Sequence, residues 1–311
     1  MPRWSLPLSP GLRLMVLAAL GFSLMTLCAK LIGPRIPTEQ LILVRTVITL
    51  FGTLALLWRQ GVSPVLGRHR GWLFLRGAAG FIALDCLFYA VPRLPLAEAT
   101  IFQYLNPILV TLLAWPFLGE RITRGAIGAL GLCIVGLFLV ARPGWLFGAH
   151  VAGLDTYAVG IALLGALMSS VAYLAIRRIG TREHPLVIVL YLPLVSLPSA
   201  LFFTLGHYVP PTPTEWALLI AIGVLTQGAQ LALTRGLQLE AAGRATTVGY
   251  LQIVFAAVWG VLFLGEVPTG WSLLGAGLIL GGVVGASRGT QRPPAGPAED
   301  NLPAGSRVLD R

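Results

Sequence analysis

Long apolar runs separated by short polar turns dominate the sequence. Ten of these runs are close to the length of about 20 residues that an α-helix needs to cross the hydrocarbon core of a bilayer. Turns containing glycine and proline separate them. The stretches are 12–32, 40–58, 71–91, 96–118, 124–141, 156–177, 186–206, 215–236, 243–264 and 270–287. The pattern predicts an all-α integral membrane protein with ten transmembrane helices.

The amino-acid composition favours a membrane protein over a soluble or a nucleic-acid-binding protein. Of the 311 residues, 56% are hydrophobic and 11% are charged, whereas soluble domains carry about 25% charged residues. The formal net charge of +10 does not predict a nucleic-acid partner, because the arginines lie in short turns rather than in one patch. The three cysteines lie within apolar runs, and the four histidines are scattered. We therefore expect no disulfide framework, no metal site and no cofactor.

The phrase FLGE closes two related segments of the chain. A shift of 146 positions aligns ATIFQYLNPILVTLLAWPFLGE (99–120) with ATTVGYLQIVFAAVWGVLFLGE (245–266) and pairs the first apolar run with the sixth, and so on in order. The sequence therefore predicts two units of five helices, at 1–146 and 147–288. Because the first run has a counterpart inside the chain, we interpret it as a retained helix rather than a cleaved signal peptide.

The two units carry opposite charge biases. Arg59, Arg68 and Arg70 follow the second stretch, whereas the loop after the seventh has no basic residue. With both termini in the cytoplasm, 16 of the 22 basic residues face inward, four face outward and two lie within helices. Lysine and arginine in short loops prefer the cytoplasmic side. The sequence thus predicts an inverted 5+5 repeat with cytoplasmic termini, followed by a disordered, Pro-rich cytoplasmic tail at 289–311.

Several of these segments resemble a known family. They are LPLAEATIFQYLNPILVTLLAWPFLGERIT, its degenerate second copy, and RGAAGFIALDCLFYA at 76–90. Together with the 5+5 arrangement they resemble the EamA-type members of the drug/metabolite transporter superfamily, over about residues 12–287. The resemblance implies a ten-helix carrier whose central cavity is lined mostly by helices 1, 3, 4, 6, 8 and 9, with helices 5 and 10 at the periphery. The family moves amino acids, nucleotides, vitamins, adenosylmethionine-like metabolites and drugs.

Ionisable residues inside the predicted spans are functional candidates, because a charge within a bilayer is costly. Asp85 lies well inside the third stretch and shares a helix face with Tyr89, so it could bind a proton or face a substrate amine. Arg76, and secondarily Arg45 and Lys30, would select a carboxylate or phosphate if they face the cavity. The alternatives are a structural hydrogen bond for Asp85 and snorkelling of the basic side chains towards the membrane surface.

Uncharged polar residues cluster in helices 4, 8 and 9. They are Gln103, Tyr104, Asn106, Gln227, Gln230, Tyr250 and Gln252. The repeat relates Tyr104 to Tyr250 and would bring such pairs towards one centre, where Pro107 should loosen helix 4. We predict substrate contacts from this cluster, with Tyr173 and Trp259 as secondary candidates. The alternative is that these side chains only hold the helices together.

Two further repeated features have structural interpretations. Glu120 and Glu266 each precede a helix start, where the helix dipole favours a carboxylate. Gly277, Gly281 and Gly285 form consecutive GxxxG steps, which permit close helix packing within the chain or in a homodimer.

Rival functional classes fit the sequence less well. An ATP-driven pump needs a GxxxxGK[ST] loop, which the chain lacks. GASRG at 285–289 matches the GxSxG pattern of a hydrolase nucleophile but lacks the required strand-turn-helix context. No repeated filter or ring of charges indicates a channel.

We predict a secondary transporter, an exporter or exchanger, of a small polar metabolite such as an amino acid or a related zwitterion or anion. Proton coupling and a homodimer are further hypotheses, and we place the protein in the inner or plasma membrane. An uptake carrier for a nucleoside-, vitamin- or adenosylmethionine-like metabolite and, more distantly, a membrane-embedded enzyme are the alternatives.

Overall fold

A computed structural model shows a helical protein. The structure describes residues 9–33, 35–63, 66–90, 93–94, 102–120, 122–141, 155–265 and 269–288. Its helices are α1 (Pro10–Ile32), α2 (Thr38–Arg59), α3 (Arg70–Ala90), α4 (Asn106–Leu118), α5 (Arg124–Ala141), α6 (Thr156–Ile179), α7 (Pro185–Thr204), α8 (Pro213–Leu239), α9 (Ala242–Val248), α10 (Leu251–Leu264) and α11 (Gly270–Arg288). No strand occurs in the described ranges. Glu266 and the tail 289–311 lie outside them.

Eight helical segments among the described residues are long and apolar enough to cross a membrane. They match eight of the ten predicted stretches, and the segment 242–264, which contains α9 and α10, counts as one of them. The helix α3 coincides with the third predicted stretch, and α4 is a shorter apolar helix within the fourth. The predicted all-helical membrane fold is therefore confirmed.

The recurring FLGE phrase ends a helix in both places. Gly119 follows α4 and Gly265 follows α10, with left-handed φ values of 68° and 65°. Glycine adopts this conformation readily because it has no Cβ atom, and it is the usual residue at such helix ends. The phrase thus recurs as a helix stop signal.

The helices α5 and α11 pack closely against each other through glycines. A Cβ atom on Gly136 would lie 2.6 Å from the carbonyl oxygen of Gly275, and one on Gly282 would lie 2.6 Å from the carbonyl oxygen of Ala129. The repeat shift of 146 positions relates Gly136 to Gly282 and Ala129 to Gly275. Each contact is therefore the counterpart of the other, with the roles of the two helices exchanged. Backbones approach this closely only where no side chain intervenes.

Part of the predicted GxxxG strip does not pack in this way. Gly277 and Gly281 have open space where a Cβ atom would be, and Gly285 makes only an ordinary contact with Ala129. The residues that bring α11 onto α5 are instead Gly275 and Gly282.

The other main helix contacts also occur in related pairs. The helix α3 packs against α6 and α7, and α8 packs against α1 and α2. A Cβ atom on Gly77 of α3 would lie 2.6 Å from the carbonyl oxygen of Tyr191 in α7, and one on Gly223 of α8 would lie 2.6 Å from the Ile48 side chain in α2. Gly77 and Gly223 are 146 positions apart, so equivalent glycines lie at the contacts of equivalent helices.

Both halves of the sequence interrupt a helix at the same position. A turn at Tyr104 and Leu105 precedes α4, and a turn at Gly249 and Tyr250 separates α9 from α10. Pro107 lies in the first turn of α4, where its missing N–H leaves no hydrogen bond unmade. The Tyr250 hydroxyl donates to the Tyr104 carbonyl oxygen at 2.8 Å, which joins the two interruptions inside the molecule.

Candidate functional site

A cavity of about 530 Å³ lies among α1, α2, α3, α6, α7, α8 and α10, with Phe102 and Gln103 also in its wall. It extends to the side of the molecule where α1 ends and α2 begins, with Gly33 and Ile36 in its wall. Arg45 and Arg76 are its charged lining residues, and no acidic residue lines it in the part of the chain that the structure describes. None of its described lining residues comes from α5 or α11, which agrees with the peripheral position that the family resemblance implied for the fifth and tenth helices. The helices α2 and α7 line the cavity in addition to those that the resemblance implied.

Arg76 of α3 is a buried cation with few partners. The residue is 2% exposed, and its Nη2 donates to Gln230 Oε1 at 3.1 Å. Its Nε is buried without a hydrogen-bond partner among the described residues. One turn later, a Cβ atom on Gly80 would lie 2.7 Å from Nη1, so the glycine makes room for the guanidinium. Of the five N–H donors of a guanidinium, one on Nη2 is bonded to Gln230, and Arg76 is among the residues that line the cavity.

Arg45 of α2 lines the same cavity and also a small side chamber. The chamber has a volume of about 10 Å³ and is bordered by Thr49, Ser196, Thr226 and Gln230, which is room for about one water molecule. The Thr226 hydroxyl is buried and has no hydrogen-bond partner in the described ranges. Arg45 makes no ion pair or hydrogen bond with any residue that the structure describes. None of the described residues therefore compensates its positive charge.

Amide and hydroxyl groups complete the polar part of the cavity wall. Gln103 and Gln252, at the two helix interruptions, both line it, as do Ser169 and Tyr173 of α6. Asn106 does not line the cavity. Its Nδ2 donates to Ser169 Oγ at 2.7 Å, so Asn106 positions a lining hydroxyl from behind.

Asp85 and Tyr89 lie away from the cavity. Leu84 and Leu87 of α3 line it, whereas the neighbouring Asp85 is exposed and does not. Nine residues separate Arg76 from Asp85, which is two and a half helical turns and places them on opposite faces. The Tyr89 ring instead lies 3.8 Å from the Arg93 guanidinium.

The predicted tyrosine pair meets, but outside the cavity wall. The rings of Tyr104 and Tyr250 stack with centroids 5.8 Å apart, and Tyr250 is fully buried. Neither lines the cavity. Their contact holds the two helix interruptions together, beside Gln103 and Gln252.

Three further predicted residues lie between helices or at a helix end. The Gln227 Nε2 donates to Thr53 Oγ1 at 2.8 Å and joins α8 to α2. The Trp259 Nε1 donates to Ser23 Oγ at 3.0 Å and joins α10 to α1. Lys30 lies in the last turn of α1. None of the three is a lining residue.

An ion-pair network that the sequence did not reveal lies on the side of the molecule opposite to the cavity opening. Glu120, after α4, accepts from Arg177 Nε of α6 at 2.9 Å and from the Ala242 N–H of α9 at 2.9 Å. Arg177 Nη1 also donates to the Gln238 carbonyl oxygen of α8 at 3.0 Å. Glu120 therefore stabilises the start of α9, and not that of the following helix α5 as the sequence predicted. The network ties together the ends of α4, α6 and α8.

The same network continues to the loop between α2 and α3. Gln238 Nε2 donates to the Glu183 carbonyl oxygen at 3.0 Å. Glu183 Oε1 accepts from the backbone N–H groups of Arg68 and His69, both at 2.7 Å, and contacts His69 Nδ1 at 2.9 Å. Burial raises the pKa of Glu183, but the hydrogen bonds from His69 and Arg68 outweigh it and hold the pKa below the ordinary value of 4.5. The carboxylate is thus the favoured form.

Comparisons with known proteins place the chain among transporters. The family described as the EamA-like transporter family matches residues 9–142 and 156–288. The "Pseudopaline exporter CntI" of Pseudomonas aeruginosa (strain UCBPP-PA14) is 34% identical over 284 residues, which cover 90% of this chain and 97% of that protein. "Solute carrier family 35 member G1" of Mus musculus is 29% identical over 228 residues, 70% of this chain and 62% of that protein. A crystal structure with 22% sequence identity superposes with a TM-score of 0.77 over 89% of this chain and 96% of its own, which shows a shared fold.

Proposed function

The chain belongs to the EamA-like transporter family, and from this premise we propose that it is a secondary transporter of a small polar metabolite, such as an amino acid or a related zwitterion or anion. It works by alternating access, as an exporter or exchanger. The transporter names of its relatives favour this function over a membrane-embedded enzyme, and the exporter among them supports outward movement.

Two inverted halves, at 1–146 and 147–288, would give the protein its alternating access. A two-fold axis relates contacts in reciprocal pairs. The contacts of Gly136 with Gly275 and of Gly282 with Ala129 have this form. The family match in two segments agrees with two such units. Because each half has five spans, the second half enters the membrane from the opposite side.

The charge bias of the loops orients the protein. Arginines concentrate on the side where α2 ends and α3 begins, and basic loops prefer the cytoplasm. Both termini and the tail 289–311 then lie in the cytoplasm of a cell whose inner or plasma membrane holds the protein. In this orientation the cavity reaches the outer side, and the Glu120–Arg177 network closes the cytoplasmic side.

The observation that carries the proposal is Arg76. It is a buried cation beside a cavity with no described acidic lining residue, and its Nε bonds to none of the residues that the structure describes. Leaving a buried charge uncompensated costs several kcal/mol. A substrate carboxylate would supply both the negative charge and the hydrogen-bond acceptors that the described residues do not provide there.

A thermal-shift screen of the purified protein tests the proposal. Amino acids, nucleotides, vitamins and adenosylmethionine would be compared, because a ligand that binds only the folded state raises its apparent stability. We expect an anionic or zwitterionic compound to stabilise the wild type and Arg76→Gln to lose that stabilisation. Arg235→Gln, which removes an exposed arginine that does not line the cavity, should keep it. Stabilisation that survives Arg76→Gln would contradict the proposed site.

Proton coupling and dimerisation are separate hypotheses within the proposal. Asp85 is the carboxyl group that could carry a proton, but it lies outside the cavity. If transport in proteoliposomes responds neither to a pH gradient nor to Asp85→Asn, the coupling hypothesis is wrong. A homodimer would be detected as a doubled mass of the detergent-solubilised protein.

A further inference from the structure

The side chamber adjoins the cavity in the region where both arginines lie. Arg45, Leu192 and Gln230 line both spaces. Arg76 Nη2 donates to Gln230 Oε1 at 3.1 Å. A Cβ atom on Gly80 would lie 2.7 Å from Arg76 Nη1 and 3.1 Å from Leu192 Cδ1, so the Arg76 guanidinium is also a near neighbour of Leu192. The two arginines therefore approach one region of the cavity, beside Gln230.

The groups around this region carry positive charge and donate hydrogen bonds. The Nε of Arg76 and the hydroxyl of Thr226 are both buried without a hydrogen-bond partner in the described ranges, and Thr226 borders the chamber. Gln230 Oε1 already accepts from Arg76, which leaves its amide NH2 group as a donor. No acidic residue is among the described lining residues of either space. Buried cations and donors of this kind are stabilised by a negatively charged acceptor.

The chamber has room for one atom of such an acceptor. Its volume of about 10 Å³ suits about one water molecule, and an oxygen atom of a carboxylate or a phosphate has a similar size. The adjoining cavity of about 530 Å³ is within the range of small-ligand sites and would hold the rest of the molecule.

Resting on the proposed function, we infer that the substrate carries one terminal oxyanion group that Arg45 and Arg76 bind together, with one of its oxygens in the side chamber at Thr226. Arg45 and Thr226 are then substrate-binding residues, in addition to Arg76. Because the chamber admits only one small atom, the oxyanion stands unobstructed at one end of the molecule. The substrate class is thus a metabolite that ends in a carboxylate or a phosphate.

Thermal-shift titrations of the purified full-length protein at constant ionic strength test this inference. The probes are hexanoate, hexyl phosphate and the uncharged hexanamide. We expect the anions to stabilise the wild type more than hexanamide does, and the tighter of the two identifies the group as a carboxylate or a phosphate. Arg45→Gln and Arg76→Gln should each weaken that anion about tenfold or more, because each variant removes a charge-assisted hydrogen bond. A probe with a single acidic group that depends on both arginines would support their sharing one position.

Two threonines of α8 provide a matched pair of variants for the chamber. Thr226 and Thr234 both have a buried hydroxyl without a partner in the described ranges, but Thr234 lines neither space. Valine has nearly the same shape and removes only an unsatisfied hydroxyl, so neither substitution should lower the melting temperature of the ligand-free protein. Thr226→Val should weaken the anion about threefold or more, whereas Thr234→Val should keep the wild-type affinity.

The failures are distinguishable. Anion binding that is lost in Arg76→Gln but unchanged in Arg45→Gln or in Thr226→Val would overturn the shared site and leave the proposed function standing. An equal loss of affinity in Thr226→Val and Thr234→Val would overturn the role of the chamber. If neither anion stabilises the wild type more than hexanamide does, both the inference and the anion-binding function fall.

A lysine variant separates direct contact from the effect of charge alone. Arg45→Lys keeps the positive charge but not the planar fork of donors, so it should recover only part of the affinity that Arg45→Gln loses. Full recovery would overturn the direct contact of Arg45 with the oxyanion.

Discussion

At the residue scale, the packing of α3 decides which of its charged side chains reaches the cavity: Arg76 does, and Asp85 does not. A charge inside a long apolar run is conspicuous because it is costly, and this singled out Arg45 and Arg76. Asp85 is equally conspicuous, yet it lies away from the cavity. Which face of α3 is turned inward depends on how α6 and α7 pack against it. That packing is set by distant residues.

Alanine substitutions at two glycines of α3 should have different effects, one on ligand affinity and the other on the melting temperature. A Cβ atom on Gly80 meets the flexible end of Arg76 at 2.7 Å, whereas one on Gly77 meets the Tyr191 backbone oxygen at 2.6 Å. Gly80→Ala should therefore displace the guanidinium and weaken ligand binding with little loss of stability. Gly77→Ala should lower the melting temperature, because overpacking costs about 1–3 kcal/mol. Unchanged ligand affinity in Gly80→Ala would show that the position of Arg76 is unimportant.

The Glu183 carboxylate should make stability depend on pH. Its pKa is held below 4.5 in the folded protein, so its contribution is complete above that value and is lost as the pH falls through the folded pKa. Glu183→Gln should lower the stability near neutral pH by about 1.5–3 kcal/mol. The difference from the wild type should shrink at acidic pH.

Thermal unfolding over a pH series measures the Glu183 effect. Glu39→Gln, which removes an exposed carboxylate in the first turn of α2, is the matched control and should follow the wild type throughout. A difference between wild type and Glu183→Gln that stays constant into acid would contradict the assignment.

At the element scale, local signals predicted some features and missed others. Pro107 predicted a loosened helix 4, but it lies in the first turn of α4, where its missing N–H leaves no hydrogen bond unmade, and the turn lies before it at Tyr104 and Leu105. The equivalent turn at Gly249 and Tyr250 has no proline nearby, so the repeat alone could have indicated it. The GxxxG spacing pointed to Gly277 and Gly281, but Gly275 and Gly282 make the close contacts. Spacing shows which glycines share a face, and the crossing of α5 decides which of them are used.

Glycine substitutions in α11 test this packing. Gly282→Ala would place a Cβ atom 2.6 Å from the Ala129 carbonyl oxygen of α5, and we expect a lower melting temperature. Gly277→Ala has open space beside it and should be neutral or slightly stabilising, since alanine favours helix more than glycine does. Equal melting temperatures for the two variants would contradict the close approach of α5 and α11.

At the scale of the whole molecule, the repeat carried most of the predictable information. A shift of 146 positions and the arginine bias of the loops predict two inverted units of five helices each. The Glu120–Arg177 network could not be predicted in this way, because its partners are 57 positions apart and come together only when α4 and α6 pack. The sequence marked only Glu120 as a residue of interest, because it recurs in the repeated FLGE phrase.

The orientation of the two halves is the central claim, and the tips after α4 and α10 test it most directly. Arg124 and Gly270 are 146 positions apart and both are exposed. Single cysteines at these positions, in a background without Cys28, Cys86 and Cys133, would be treated in intact cells with a membrane-impermeant thiol reagent. Gly270→Cys should react in intact cells, and Arg124→Cys only after the membrane is permeabilised. Labelling of both from the same side would contradict the inverted halves and the cavity between them.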